Sequence, residues 1–139
     1  MGWAVIYYET VGGQVPAIEF LGGCPTKVAA NLLAVVSAVA EAPPPQYSGG
    51  GKWEAMHGAM GGYFEVRATG PNREQFRLFC LLENADGAEL ARRGLDRPTI
   101  AVITGIRKPW RTTFDDRDYE AVRTLGNDHK SNHPRRIAL

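Results

Sequence analysis

Three charged side chains on two neighbouring predicted strands have the types and spacing to act together on a polyanion. Residues 63–69 and 75–82 alternate charged or polar with apolar side chains, a pattern typical of half-buried β-strands. Because successive side chains of a strand point to opposite faces, Glu65, Arg67 and Arg77 are expected on one face. A guanidinium stays charged at neutral pH, and its planar fork can hold two phosphate oxygens. The pattern therefore predicts a site for a polyanion and suggests chemistry on one.

The segments around this pair predict a single α+β domain over residues 1–139, with two helices packed on one face of a mostly antiparallel sheet. The hairpin turns at Gly70-Pro71-Asn72, a strong turn signal. The predicted elements are a strand at 3–8, a short helix at 15–21, a long helix at 27–41, a short strand at 53–56, the hairpin, a helical turn at 88–93 and a central strand at 99–104. Residues 43–45 are prolines that end the long helix, and 46–51 are interpreted as a linker within the domain.

A last helix is predicted after the central strand. Thr113 is expected as its N-cap, with Asp116 three residues on, and Gly126 as its end. Phe114 is expected to anchor this helix rather than to take part in catalysis. The inward stripe is predicted as Tyr119, Val122 and Leu125. The tail, about 127–139, is polar and basic and is a candidate flexible segment.

Composition limits the class of protein. A chain of 139 residues suits one domain that can bury a core without disulfides or metals. No apolar run approaches the roughly 18 residues that a membrane helix needs. The N-terminus lacks the pattern of a signal peptide, and no membrane partner is expected. Cys24 and Cys80 are interpreted as buried free thiols, with a disulfide as the alternative. Free thiols, the favoured interpretation of the two cysteines, fit a cytoplasmic protein. No Cys/His cluster has metal-ligand spacing, so no metal or other cofactor is expected.

The net charge of +1 gives little reason to expect nucleic acid, but the charge is unevenly distributed. Residues 99–139 hold eight Lys/Arg against five Asp/Glu, a local balance of +3. That balance is compatible with an anion site at the C-terminal end of the sheet. A solvated face is the alternative for any one of these charges.

Six short motifs follow one another along nearly the whole chain. They are Pro16-x-x-Glu19-Phe20-Leu21, the segment 52–58, Tyr63-Phe64-Glu65-Val66-Arg67, Phe76-Arg77-Leu78-Phe79, Gly105-Ile106 and Lys108-x-x-Arg111-Thr112. No single motif is specific, but the ordered series resembles the RelE/ParE superfamily of toxins, most closely its HigB-like, phage-derived branch. The resemblance implies a RelE-like fold, a small, mostly antiparallel twisted sheet with two N-terminal helices on one face and a short C-terminal helix.

The resemblance also implies a function. Such a protein is the toxin of a type II toxin-antitoxin system, an mRNA interferase that inhibits translation. It enters the ribosomal A site and acts as an endoribonuclease, in which a ribose 2′-OH attacks the adjacent phosphate and leaves a cyclic phosphate. The reaction needs a base for the 2′-OH, an acid for the 5′-oxygen and cations for the phosphoryl oxygens.

Residues of this chain take the family's roles by position. Arg77 matches the arginine expected to hold the scissile phosphate, and Arg67 matches the arginine that ends the preceding strand; a Glu65–Arg77 ion pair on a solvated face is the alternative. Tyr63 and Glu65 stand where some relatives have lysines. The remaining catalytic candidates are Glu54, His57 and Lys108, with His129 and His133 less favoured. The predicted RNA-binding residues are Lys52, Arg107, Trp110 and Arg111, although Trp110 could instead plug the end of the core.

Two other functions remain open at this level. The protein could be a ParE-like or phage-derived module that binds a host protein such as gyrase without nuclease activity, or an inert relative. As a toxin it would have the ribosome and mRNA as partners, together with a HigA-like helix-turn-helix antitoxin encoded nearby. The chain shows no helix-turn-helix of its own, so no direct DNA binding is expected.

Overall fold

The fold is described from a computed structural model, which covers residues 2–42, 51–134 and 136–137. The three prolines at 43–45 and the predicted linker up to residue 50 lie outside the described residues. The strands are β1 Ala4–Tyr8, β2 Trp53–Ala55, β3 Tyr63–Thr69, β4 Gln75–Glu83, β5 Thr99–Lys108 and β6 Arg136–Ile137. The helices are α1 Pro16–Gly23, α2 Thr26–Glu41, α3 Gly87–Arg92 and α4 Asp116–Ser131. The predicted α+β class is confirmed.

Within the described residues the strands form one six-stranded mixed sheet in the order β2-β3-β4-β5-β1-β6. Four of the five pairings are antiparallel, and β1 runs parallel to β5. The β-branched segment around Ile100–Ile103 therefore lies in a central strand, as predicted, with β4 on one side and β1 on the other. β5 is longer than predicted and extends to Lys108 at its C-terminal end.

Helices cover both faces of the sheet. The two N-terminal helices α1 and α2 pack on one face, where Leu32 and Val36 meet Val66 and Phe76 in a buried cluster. On the opposite face α4 buries Val122 in a second cluster of apolar residues from the sheet. The face that carries Arg67 and Arg77 is therefore covered by α4 along part of its area and is open elsewhere.

The predicted limits of the last helix are wrong. Its N-cap is Asp115 rather than Thr113. The Asp115 carboxylate accepts from the Asp118 backbone N–H (3.1 Å), and the Asp118 carboxylate accepts from the Asp115 backbone N–H (3.0 Å), which together form a capping box. The helix does not end at Gly126 but has 16 residues and reaches Ser131, so it is not a short C-terminal helix. Gly126 stands inside it because a Cβ there would lie 1.9 Å from the Tyr63 hydroxyl.

Cys24 and Cys80 are both free thiols. Cys80 is buried in the cluster under α1 and α2, and burial raises its pKa to about 12. Cys24 is only partly buried, and its thiol donates to the Phe20 carbonyl. None of the helices in the described part of the chain has the length and apolar character that crossing a membrane needs.

Candidate functional site

The predicted arginine pair lies on one face of the sheet. The antiparallel register of β3 and β4 sets Arg67 directly opposite Arg77. Between them the buried Glu65 carboxylate, 5% exposed, accepts from Arg67 Nε (2.7 Å) and from Arg77 Nη1 (3.2 Å). Arg67 also contacts the Glu54 carboxylate at 3.2 Å. The Glu65–Arg77 ion pair of the alternative interpretation is thus present, but the Arg77 guanidinium also faces open space.

That open space is a cleft of about 810 Å³, which we call the main cleft. It lies between the β3–β4 hairpin and the segment that joins β5 to α4. Its charged lining consists of Arg73, Arg77 and Arg111, and none of the described residues that line it is a carboxylate. The lining also includes three aromatic side chains, Trp110, Phe114 and Tyr119. Cationic and aromatic groups of this kind are suited to phosphates and to the faces of nucleobases.

Arg77 is held on several sides at the floor of the main cleft. Its guanidinium carbon lies 4.7 Å from the centroid of the Phe114 ring, and its Nη2 lies 3.4 Å from Gln75 Oε1. Together with the two contacts to Glu65, these neighbours leave the side chain 16% exposed. Such a guanidinium has a fixed orientation before any ligand arrives, which is the condition for electrostatic preorganisation.

The wall of the main cleft opposite the hairpin is the loop that carries Trp110 and Arg111. Gln75 fixes this loop, since its side-chain Nε2 donates to the carbonyls of Pro109 (3.2 Å) and Thr112 (2.9 Å). Trp110 is 47% exposed. Two cations stack against its ring, Arg111 at 4.4 Å and Arg73 at 4.6 Å from the centroid. The loop and the hairpin are thus joined through this stack and through Gln75.

A second cleft, of about 400 Å³, adjoins the main cleft, with Tyr119 lining both. It holds both predicted base candidates, Glu54 and His57, together with Arg67. Burial raises the pKa of the Tyr119 phenol, as does the negative charge of Glu65, while the two neighbouring arginines act in the opposite direction. Tyr119 is therefore a neutral hydrogen-bond donor at pH 7.

Three predicted site residues lie elsewhere. Lys108 forms an ion pair with Asp118 (3.0 Å) at the start of α4 and does not line the main cleft. Arg107 lies over the Phe76 ring on the opposite face of the sheet, where it is bound to Glu74 (2.7 and 2.8 Å). Lys52 lines a third cleft of about 360 Å³ beside α2, which it shares with Arg67. The structure thus brings Arg77, Trp110 and Arg111 together but leaves these three outside.

The histidines of the C-terminal segment do not reach the main cleft either. His129 is buried, and its Nε2 lies 2.7 Å from Glu83 Oε2 at the far end of β4 from Gln75. Arg93 contacts the same carboxylate at 2.7 Å. Burial alone would raise the pKa of Glu83, but the hydrogen bonds from His129 and Arg93 outweigh it and lower the pKa to about 2. His133 is exposed. The cluster attaches α4 to the sheet.

Seven residues that line the main cleft were not among the sequence candidates, three threonines and four larger side chains. Arg73, Gln75, Phe114 and Tyr119 reach it because the hairpin turn and the start of α4 converge on the same end of β4. Phe114 lies just before the N-cap Asp115 of α4, and its ring supports Arg77. The cation-aromatic-cation order around Trp110 gave a signal for the loop, whereas nothing in the sequence pointed to Arg73.

Comparison with protein families, with curated proteins and with solved structures finds no match for this chain. Among the described residues, no group of three or more His, Cys, Asp or Glu side chains is placed to hold a metal ion. The clefts are therefore the features of the molecule that bear on its function.

Proposed function

We propose that this protein is a ribosome-dependent mRNA endoribonuclease with a RelE/HigB-like fold, the toxin of a type II toxin-antitoxin system that acts in the cytoplasm. The observation that carries the proposal is the main cleft, which three guanidiniums and three aromatic rings line without a carboxylate among its described residues. Phosphate contacts supply much of the affinity for RNA, and aromatic faces stack on unpaired bases.

The proposed reaction assigns a task to each group. The 2′-oxygen attacks the adjacent phosphorus while its proton passes to a base, and the bond to the 5′-oxygen breaks as that oxygen gains a proton. Arg77 stabilises the charge on the phosphoryl oxygens, because its guanidinium is already oriented by Glu65 and Phe114. Glu54 and His57 in the second cleft are the base candidates. Tyr119, neutral and on the wall between the clefts, is the candidate acid.

The decisive experiment replaces Arg77. Expression of the parent is expected to arrest growth and to produce mRNA fragments cut within translated codons, whereas Arg77→Ala is expected to do neither. Loss of one preorganised charge contact lowers the rate of this kind of step about 10²- to 10³-fold. Arg92→Ala is the matched control, because Arg92 lies on the exposed surface of α3 with its side chain 74% exposed. Circular dichroism and urea unfolding establish that both variants are folded.

Three outcomes contradict the proposal. If Arg77→Ala is as toxic as the parent, the site assignment is wrong. If growth stops with intact mRNA and a DNA-damage response, the ParE-like activity on gyrase is supported instead. If the parent neither arrests growth nor cuts mRNA in a translating extract, the chain is an inert relative. The gene beside this one offers an independent test, since a toxin of this branch has a helix-turn-helix antitoxin as its partner.

A further inference from the structure

We propose that the main cleft is a complete nucleotide site in the free protein, which binds one nucleoside monophosphate unit of RNA without the ribosome. The phosphate lies on Arg77 and the nucleobase stacks on Trp110. This inference rests on the proposed function for its ligand class, RNA. It goes further by assigning a subsite to the base and by predicting binding that the purified protein shows alone.

The size and charge of the cleft favour a whole nucleotide over a phosphate. Its volume of about 810 Å³ lies within the roughly 300–1,000 Å³ of small-molecule sites. Arg77 lies at its floor, whereas Arg73 and Arg111 stack on Trp110 at its wall. An anionic group and a flat aromatic group are thus both provided for within one cavity.

The exposure of Trp110 indicates a stacking surface. It is one of two large apolar residues that the described chain leaves exposed, the other being Val11 in a loop. The tryptophan is nevertheless not loose, because the two guanidiniums lie 4.4 and 4.6 Å from its centroid. A ring fixed in this way loses little conformational freedom when a base stacks on it. When a base replaces one of the two guanidiniums on the ring, the displaced arginine becomes available to the phosphate.

The loop that carries Trp110 is positioned before the ligand binds, and one stacked guanidinium then moves aside for the base. Gln75 donates to the carbonyls on both sides of Trp110, at Pro109 and Thr112. Both stacking cations have left-handed backbones, with φ of 58° at Arg73 and 66° at Arg111. That conformation is unfavourable for an L-residue and persists only where the surroundings impose it. Asn72, which precedes Arg73 in the hairpin turn, is the third non-glycine residue of the described chain with a left-handed backbone (φ 56°), so two of these three residues hold the Trp110 ring.

Calorimetry on the purified protein tests the proposal, with four probes: adenosine 3′-monophosphate, adenosine 5′-monophosphate, adenosine and inorganic phosphate. We expect one of the two nucleotides to bind at least about tenfold more tightly than phosphate, since stacking of one base on an aromatic ring raises affinity by at least this factor. In Trp110→Ala this advantage disappears while the affinity for phosphate stays the same. Arg77→Ala binds neither the nucleotides nor inorganic phosphate, and Arg92→Ala behaves as the parent.

The two nucleotides distinguish which neighbour of the phosphate stacks. Preference for the 3′-monophosphate assigns Trp110 to the base upstream of the scissile bond, and preference for the 5′-monophosphate to the downstream base. Nucleotides that bind no better than phosphate, an advantage that survives in Trp110→Ala, or no binding at all would each overturn the inference. Cleavage of mRNA in a translating extract is measured in parallel. Cleavage without nucleotide binding refutes this inference alone, and binding without cleavage refutes the proposed function alone.

Discussion

Replacement of Glu83 by glutamine tests whether the buried histidine of α4 stabilises the fold or takes part in chemistry. In the structure His129 and Arg93 both contact one oxygen of Glu83, each at 2.7 Å. Arg93 also donates to the His129 carbonyl (3.0 Å) and the Lys130 carbonyl (3.1 Å). The cluster therefore joins the end of β4 to the last turn of α4. A structural role predicts that Glu83→Gln weakens the fold and leaves the activity of the folded protein unchanged.

The magnitude follows from the pKa of the carboxyl group. The contacts lower it from 4.5 to about 2, and each pKa unit corresponds to about 1.4 kcal/mol. The ionised carboxylate therefore contributes about 3 kcal/mol to the free energy of unfolding at pH 7. Because the folded-state pKa is the lower one, this contribution is present above about pH 4.5 and is lost as the pH falls towards 2. By pH 3 less than about half of it remains.

Urea unfolding of the parent and of Glu83→Gln, measured from pH 7 to pH 3, checks this value. The difference in free energy of unfolding is expected to be about 3 kcal/mol at pH 7 and to narrow to about 1 kcal/mol at pH 3. The contributions of the other acidic groups to the free energy of unfolding cancel in this difference, because both proteins contain them. A difference that stays constant over this pH range would show that the ionised Glu83 carboxylate does not supply this stability. A folded Glu83→Gln protein without toxicity would give the cluster a functional role that the structure does not predict.

Two further predictions concern the packing of α4 and the arginine pair. Gly126→Ala is expected to lower the free energy of unfolding by about 2 kcal/mol, because the new Cβ would lie 1.9 Å from the Tyr63 hydroxyl. Adding Tyr63→Phe to this variant should partly restore stability. A Gly126→Ala protein as stable as the parent would contradict the close contact. Glu65→Gln is expected to tighten binding of inorganic phosphate, measured by calorimetry, because it removes the carboxylate that competes with phosphate for the Arg77 guanidinium. Equal phosphate affinities would show that Glu65 does not compete for this guanidinium.

Alternation along the strands was enough to predict much of the fold and the face of the central arginines. The period of two fixes which side of a strand each residue occupies, whatever its partners are. The Gly70-Pro71-Asn72 turn then indicates which strands pair, so the sequence predicts that Arg67 and Arg77 lie together, and the register confirms it. Both statements concern residues that are close in sequence, where local chemistry decides the geometry.

Contacts between distant segments were beyond the same reasoning. The end of α4 was misplaced because glycine commonly ends helices, whereas Gly126 is required by Tyr63, 63 residues earlier. The Gln75 contacts to the loop 34 and 37 residues away leave no periodic pattern. Arg107 was expected at the RNA site from its position in a basic segment. Arg107 pairs with Phe76 rather than with Arg77, so its side chain lies on the other face of the sheet. Only the register of β5 against β4 shows this.

The near-neutral charge of the chain is compatible with a phosphate site because the carboxylates are placed selectively. Glu74 neutralises Arg107, and Asp118 neutralises Lys108, both away from the main cleft. Arg73 and Arg111, by contrast, have no carboxylate partner among the described residues and stack on Trp110 instead. An aromatic face stabilises a cation without cancelling its charge, so these arginines still attract an anion. Net charge sums paired and unpaired groups alike, whereas affinity for a phosphate depends on the cations that remain unpaired around it.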